Sequence, residues 1–302
     1  MSSIETCKLF LYYLFRLLFT KRRGYGTIKA MEEKTEQFIF ISGATGGIGK
    51  AFAKACAKRG SLFLTGRSGE KLSLLKEELC AENPQCKVDF YSCDLTNERD
   101  CAEMFSYIEA RGYTFSGLCN VAGADIQKAF EKYTQEKIIF QCRVNLEAAL
   151  CITHFILQHR APQLEIVTVS SLSGVYPMPY FAEYSATKAA LTSFFSSLRL
   201  ETKGKGVRVT VVEPGGVYTR PDVCKDIAGQ GLWGKLSAKT PDYIARKSLA
   251  AVRKNRRLIR PGFWNKFIAT VPAFFHWEFG CALLRAVGAG RKKTRFKSGG
   301  ER

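Results

Sequence analysis

The sequence predicts an α/β protein with a doubly wound parallel sheet. From about residue 37 to residue 260, short runs rich in β-branched and aromatic residues alternate with longer stretches of helical periodicity. The short runs are apolar at successive positions, which indicates strands that helices cover on both faces. The first run ends in a glycine-rich turn, at the place where such sheets bind ligands. These observations predict a single α/β domain with an apolar extension at each end.

The elements follow one another without a linker or an internal repeat. Predicted strands occupy residues 38–42, 61–65, 87–91, 115–121, 164–170, 207–214 and 256–262. Predicted helices occupy residues 47–59, 69–82, 97–111, 135–160 and 181–203. This order indicates a Rossmann-like domain over residues 37–262, preceded by a segment 1–36 and followed by a segment 263–302.

Composition and charge exclude several classes of protein. The chain has 302 residues, 46% of them hydrophobic, and no apolar run reaches the roughly 18 residues of a membrane-spanning helix. The net charge of +19 belongs to the ends: residues 1–29 carry six basic residues against one acidic, and residues 253–302 carry thirteen against two. No zinc-finger or RNA-binding motif accompanies them. The ends therefore favour an anionic lipid surface over nucleic acid, with solvated tails as the alternative.

The first segment contains a short apolar run, residues 9–19, which Lys21, Arg22 and Arg23 follow at once. A secretory signal carries its charge before the apolar run, so we expect an interfacial membrane helix. The alternative is a helix that packs on the protein or on a second copy of the chain. Eleven cysteines without a CxxC pair are typical of a reducing compartment. The sequence thus predicts a cytoplasmic protein, either free or at the cytoplasmic face of a membrane, and no metal site.

A glycine-rich turn joins the first predicted strand to the first predicted helix. Its glycines are Gly43, Gly47 and Gly49, a GxxxGxG spacing. Free amide N–H groups and the positive end of the helix dipole at such a turn attract a diphosphate, and glycine lets the backbone approach it closely. The turn therefore predicts a nucleotide site.

The end of the second predicted strand selects the nucleotide. An acidic residue there accepts a hydrogen bond from a ribose 2′-hydroxyl, whereas this chain has Arg67 and Ser68. Arg67 can pair with a 2′-phosphate, and Lys50 and Ser68 can add to the same cradle. We expect NADP(H) in preference to NAD(H), the alternative being that Arg67 is an ordinary surface arginine.

A tyrosine with a lysine four residues later suits carbonyl reduction by a nicotinamide. The tyrosine donates a proton to the carbonyl oxygen, and the lysine, one helical turn away, supplies a cation that lowers the tyrosine pKa. This YxxxK pattern occurs four times, beginning at Tyr25, Tyr133, Tyr184 and Tyr243. Only Tyr184, with Lys188, has a serine thirteen residues earlier: Ser171, at the end of a predicted strand. A second hydroxyl from that strand end can polarise the carbonyl.

Taken in order, these motifs resemble the short-chain dehydrogenase/reductase family over residues 37–260. They are GATGGIG at 43–49, CDL at 93–95, NVAG at 120–123, VN at 144–145, SS at 170–171, YSATK at 184–188 and EPGGV at 213–217. The resemblance implies that Tyr184 is the general acid/base, that Lys188 lowers its pKa and holds the nicotinamide ribose, and that Ser171 polarises the carbonyl. It implies further that Asn145 keeps a proton-relay water. The cofactor-binding residues it implies are Gly43, Thr45, Gly47, Ile48, Gly49, Arg67, Ser68, Asp94, Asn120, Gly123, Tyr184, Lys188, Pro214, Gly215 and Val217.

The region after the sixth predicted strand indicates the substrate class. In the short-chain dehydrogenase/reductase family, the region that corresponds to residues 217–250 forms a lid over the substrate. In this chain a further aromatic stretch, residues 264–288, follows the last predicted strand. That stretch suits a membrane surface, or equally an extra covering helix or a dimer seam. The sequence therefore predicts an NADP(H)-dependent oxidoreductase of a lipophilic ketone or alcohol, such as a steroid or 3-keto lipid. The alternative is a non-catalytic protein of this fold that senses a cofactor or acts as a scaffold.

Overall fold

A computed structural model describes residues 36–176, 178–229 and 231–274. Within them, seven strands form one sheet, and all of its pairings are parallel. The strands are β1 Gln37–Ser42, β2 Ser61–Gly66, β3 Val88–Ser92, β4 Thr114–Asn120, β5 Arg160–Val169, β6 Val207–Val212 and β7 Leu258–Ile259. Their order across the sheet is β3-β2-β1-β4-β5-β6-β7. The order reverses between β1 and β4, which is where a doubly wound sheet opens a crevice at its carboxyl edge.

Helices cover both faces of this sheet. Their bounds are α1 Gly47–Ala57, α2 Gly69–Glu82, α3 Glu98–Glu109, α4 Gln135–Cys142, α5 Ala148–Gln158, α6 Ala182–Glu201, α7 Pro221–Gly229, α8 Gly231–Ser237, α9 Pro241–Arg253 and α10 Phe263–Phe274. Polar side chains cap several of them, as where Asn97 accepts from the backbone N–H groups of Arg99 and Asp100 at the start of α3.

The strand pattern explains why two cores form. Successive side chains of a strand point to opposite faces, and β1 is buried on both. Ile39 and Ile41 join a cluster with apolar residues of α1, α2 and α9. Phe38 and Phe40 join a second cluster with residues of α3, α5 and α6. The predicted doubly wound parallel sheet is therefore confirmed.

Two elements differ from the prediction. The helix predicted over residues 135–160 contains a π-helical turn at Arg143–Glu147, between α4 and α5. The second half of the region expected to form a lid is instead the core helix α9, since Ile244 and Leu249 are buried against α1 and the sheet. Backbone bonds between Lys239 and both Gly216 and Tyr218 close the segment that holds α7 and α8 at its base.

The terminal segments lie largely outside the described residues. The interfacial helix predicted within segment 1–36 lies outside the described residues. Of the predicted aromatic extension, the described part is α10, ending at residue 274. No described helix combines the length and apolarity that crossing a bilayer requires.

Candidate active site

The turn after β1 is built for close backbone approach. Gly43 has a positive φ of 65°, and a Cβ there would lie 2.8 Å from the backbone of Ala122 in the loop after β4. A Cβ on Gly49 would collide with the Gly43 carbonyl. The α1 helix begins at Gly47 with a glycine cap and has no acidic residue in its first turn. Because Gly47, Ile48 and Gly49 line a cleft, the first amide N–H groups of α1 lie at its wall, and a diphosphate fits this cradle.

A cleft of about 1520 Å³ runs along the carboxyl ends of the strands. It exceeds the range of about 300–1,000 Å³ usual for one small ligand, so a dinucleotide and a second molecule can share it. Most of the predicted site residues line it: Gly43, Thr45, Gly47, Ile48, Gly49, Arg67, Asp94, Gly123, Ser171, Tyr184, Lys188, Pro214, Gly215 and Val217.

Lys50, predicted to add to the phosphate cradle, does not line the cleft but pairs with Glu78 on α2 at 2.7 Å. Three further predicted residues also lie outside the lining. Ser68 caps α2 by accepting from the Lys71 N–H. Asn120 is buried, and its amide donates to Thr153 on α5 at 3.0 Å and to Thr168 at 3.4 Å. The alternation along β4 could have indicated this, because Asn120 shares the face of Leu118, which packs in the α5 cluster. Asn145 lies directly behind Gly123. The site roles predicted for Ser68, Asn120 and Asn145 stay predictions.

The α6 helix is fastened to the end of β5. The Lys188 ammonium donates to the Val169 carbonyl at 3.0 Å, and the Ser170 hydroxyl donates to the Lys188 carbonyl at 2.7 Å. Gly174 permits this approach, since a Cβ there would lie 2.8 Å from the α6 backbone at Ala189. The turn that carries Ser171 is thereby held against the helix that carries Tyr184. The structure thus brings the predicted triad together, whereas the described tyrosines of the other YxxxK patterns, Tyr133 and Tyr243, lie outside the cleft lining.

The Ser171 hydroxyl has a defined direction. Its oxygen accepts from the Ser173 backbone N–H at 3.2 Å and from the Ser173 hydroxyl at 2.9 Å. With both acceptor positions used, its own proton is free to be donated, and Ser171 hydrogen-bonds with Tyr184. Ser173, which the sequence analysis missed, therefore orients Ser171.

Burial governs the protonation of Tyr184 and Lys188. It raises the pKa of Tyr184; the negative charge of Asp125 raises it further, and the Ser171 hydrogen bond lowers it. Burial also lowers the pKa of Lys188 to about 8, against the raising effect of Asp125. The lowering of the Tyr184 pKa by Lys188 that the sequence predicts stays a prediction.

Asn145 holds the loop after β4. Its side-chain carbonyl accepts from the Ala124 N–H at 2.7 Å, and its amide donates to the Ala124 carbonyl at 3.0 Å and to Thr187 on α6 at 3.1 Å. Gln141, buried one turn earlier, donates to the same carbonyl at 3.4 Å. Asn145 lies within the π-helical turn, and such turns often occur at functional sites. These bonds place Gly123 so that a Cβ there would lie 3.4 Å from the Lys188 ammonium.

Part of the cleft lining is apolar. This part includes Phe140, Val144, Tyr176, Met178, Phe181 and Ile227. Tyr180, beside these residues, has a φ of 68°, an uncommon conformation for a non-glycine residue and one that clusters at functional sites. No group of three metal-ligating side chains occurs among the residues that the structure describes.

One feature of the cleft has no signal in the sequence. Arg220, just before α7, pairs with Asp125 in the loop after β4 at 3.4 Å and with Asp222 at 3.2 Å. Asp125 and Arg220 are 95 residues apart, so no local spacing links them.

Known proteins share this fold and part of this sequence. The family model for short chain dehydrogenase matches residues 37–225. The chain is 30% identical over 214 residues to 11-beta-hydroxysteroid dehydrogenase-like 2 of Arabidopsis thaliana, covering 70% of this chain and 68% of that protein. It is 27% identical over 286 residues to inactive hydroxysteroid dehydrogenase-like protein 1 of Homo sapiens, covering 90% and 83% respectively.

A solved structure has the same fold. It was determined in work on 7beta-hydroxysteroid dehydrogenase stereoselectivity, and it superimposes with a TM-score of 0.73 at 24% identity. The superposition covers 85% of this chain and 98% of that chain.

Replacing Lys188 by methionine should change how stability depends on pH. Between about pH 8 and the ordinary lysine pKa of 10.5, unfolded chains hold a proton that folded Lys188 has released. The stability that Lys188 contributes should therefore rise with pH across that window. Urea unfolding is measured at about pH 7 and about pH 9.5, below and above the Lys188 pKa of about 8. The free energy of unfolding of the wild type, relative to that of Lys188→Met, should be larger at the higher pH. The exposed Lys58→Met serves as control, and a difference that stays constant with pH would contradict the buried ammonium.

Proposed function

Because this chain belongs to the short-chain dehydrogenase/reductase family, we propose that it is an NADP(H)-dependent oxidoreductase. It interconverts a ketone and a secondary alcohol on a lipophilic substrate. The observation that carries this proposal is the convergence of Tyr184, Ser171 and Lys188 in one cleft that begins at the glycine turn after β1. The hydroxysteroid dehydrogenase-like relatives support a small lipophilic substrate.

Reduction needs a hydride at the carbonyl carbon and a proton at the oxygen. A bound nicotinamide supplies the hydride. Tyr184 donates its phenolic proton to the carbonyl oxygen, and Ser171 donates a hydrogen bond to the same oxygen as negative charge develops there. Because burial raises the pKa of Tyr184, the phenol remains protonated at neutral pH and can donate its proton when negative charge develops on the carbonyl oxygen.

Lys188 stabilises the state after proton transfer. Its ammonium lies 5.6 Å from the centre of the Tyr184 ring and is held by the Val169 carbonyl. At neutral pH, below its pKa of about 8, it is mostly charged and favours the phenolate that Tyr184 leaves behind. Asn145, at the π-helical turn, is assigned to keep the relay water through which Tyr184 regains a proton.

The residues that would hold the dinucleotide follow the strand ends. The α1 N-terminus with Gly43, Gly47 and Gly49 takes the diphosphate, and Arg67 at the end of β2 takes the 2′-phosphate. Asp94 contacts the adenine; one of its oxygens already accepts from Thr96. The other residues that we expect to contact the dinucleotide, from the family resemblance, are Thr45, Ile48, Ser68, Asn120, Gly123, Pro214, Gly215 and Val217.

The apolar part of the cleft lining supports a lipophilic substrate. Aromatic and aliphatic side chains in the cleft lining exclude water and stabilise a ring system or alkyl chain by apolar burial. The proposed substrate class includes steroids and 3-keto lipids.

Contact with a membrane is a second part of the proposal. On α10, Phe263, Trp264 and Phe267 are exposed to 75%, 37% and 49%, and their rings stack edge to face beside exposed Lys266. Exposed aromatic residues with basic neighbours favour an anionic lipid surface at the cytoplasmic face of a membrane. A seam with a second copy of the chain is the competing use of this surface.

A non-catalytic role is the second candidate function. It is favoured by the similarity to a human relative whose name calls it inactive. The intact set Asn145, Ser171, Tyr184 and Lys188 favours catalysis, because a retired site has no need of these four side chains.

Replacing Tyr184 by phenylalanine should remove essentially all turnover, while the variant still binds the cofactor. The phenyl ring fills the same space but has no proton to donate, so we expect a loss of about 10²-fold or more. The assay follows NADPH absorbance with a panel of ketones, and calorimetry measures NADPH binding. Tyr243→Phe, in a YxxxK pattern outside the cleft lining, is the matched control. Retained activity in Tyr184→Phe would refute its role, and a wild type that binds NADPH without turnover would support the non-catalytic alternative.

Replacing Arg67 by glutamine should weaken NADPH binding about tenfold or more and leave NADH binding unchanged. A charge-assisted pair with the 2′-phosphate contributes roughly 1.5–3 kcal/mol. Binding constants of both dinucleotides for both proteins decide the point. Equal weakening of NADPH and NADH would assign Arg67 a general role and remove the argument for NADP(H).

Full-length protein should float with liposomes that contain anionic lipid, and a variant lacking residues 1–29 should float less. Phe263→Ser combined with Phe267→Ser should reduce the fraction further, since both apolar surfaces contribute. Zwitterionic liposomes control for charge. Equal soluble fractions for all proteins would overturn the membrane contact, and dimers at sedimentation equilibrium would favour the seam.

A further inference from the structure

The mouth of the cleft is crossed by an ion pair that the proposed mechanism does not use. The Arg220 guanidinium lies 3.4 Å from the Asp125 carboxylate, and both residues line the cleft. Asp125 follows Ala124, whose backbone N–H and carbonyl are both hydrogen-bonded to the Asn145 side chain. Arg220 precedes the first residue of α7. The pair therefore joins a firmly held loop to the segment over the cleft.

Asp125 also acts on the interior of the site. It lies two residues after Gly123, where a Cβ would lie 3.4 Å from the Lys188 ammonium, and it lines the same cleft as Tyr184 and Lys188. Its negative charge raises the pKa of both residues. Its side chain is one third exposed, at 33%, so its charge reaches the buried pair without itself being fully desolvated. Asp222, the other partner of Arg220, is 63% exposed and is not among the charges that act on Tyr184 or Lys188.

We propose that Asp125 is a positioning residue that keeps the Lys188 ammonium charged, and that its ion pair with Arg220 makes this effect depend on the position of the start of α7. With Arg220 against it, the Asp125 charge is partly neutralised. When the pair opens, the full negative charge acts on the buried ammonium and phenol. The position of the segment over the cleft is thereby coupled to the protonation of the residues beneath it.

Other charged residues line the cleft, among them Asp94 and Glu131, but they are not among the charges that shift the pKa of Tyr184 or Lys188. Tyr184 and Lys188 both lie on α6. The groups that shift their pKa values come from two other elements: Ser171 after β5, which is neutral, and Asp125 in the loop after β4, which is charged. Glu183, although next to Tyr184 in sequence, contacts Cys142 on α4, and burial raises its pKa. Among the residues that the structure describes, Asp125 is the acidic group that acts on both Tyr184 and Lys188.

The test measures the Lys188 titration directly in the full-length protein without ligand. Lysine is labelled with ¹³C at Cε, and the Lys188 signal is assigned by its loss in Lys188→Met. We expect the titration midpoint to move to lower pH in Asp125→Asn, because the ammonium loses a favourable negative charge. In Arg220→Gln it should move to higher pH, since Asp125 is no longer neutralised. Asp222→Asn removes a charge from the same arginine at a more exposed position and should move the midpoint least.

Each outcome decides the inference. An unchanged midpoint in Asp125→Asn, or an equal shift in Asp222→Asn, would overturn it, and thermal unfolding checks that the variants are folded. The inference rests on the proposed function for its meaning in catalysis, but the titration needs no turnover. If no ketone is reduced, the proposed function fails while the Lys188 midpoints still decide the role of Asp125. If turnover is found, its pH profile should shift with the midpoints, which a purely structural brace would not produce.

Discussion

The close packing of α6 against the end of β5 is the constraint on which the candidate site depends. A buried ammonium is costly unless it is hydrogen-bonded, and Lys188 meets this requirement at the Val169 carbonyl. The Ser170 hydroxyl bonds back to the Lys188 carbonyl, and Gly174 allows the turn to approach the helix backbone. Because these contacts fix the turn to the helix, Ser171 and Tyr184 meet in the cleft.

The parallel sheet supplies the rest of the site. Since all strands run in one direction, the loops after β1, β4, β5 and β6 emerge at one edge, although they lie far apart in the sequence. The glycine turn, Gly123, Ser171 and Pro214 therefore line one cleft. The order reversal between β1 and β4 leaves room there for a dinucleotide, and the apolar part of the cleft lining leaves room for a lipophilic partner.

The strands, the sheet and the main site residues could be predicted because their signals are local. Apolar runs, a glycine turn and the combined spacing of Ser171, Tyr184 and Lys188 depend only on nearby residues. The π-helical turn could not be predicted, because Asn145 is placed by its bonds to Ala124 and Thr187, both distant in sequence. The orientation of Ser171 by Ser173 depends on backbone geometry, and the ion pair of Asp125 with Arg220 depends on tertiary approach. In contrast, the placement of Asn120 against α5 could have been predicted, because strand alternation puts it on the same face of β4 as the buried Leu118.

The most direct test of the central claim is a crystal structure of the protein with NADP⁺ and an unreacted ketone. The account predicts that the ketone oxygen accepts hydrogen bonds from both Tyr184 Oη and Ser171 Oγ, with Lys188 still bound to the end of β5. A ketone oxygen bonded to neither hydroxyl, or a tyrosine and serine that face separate environments, would contradict it.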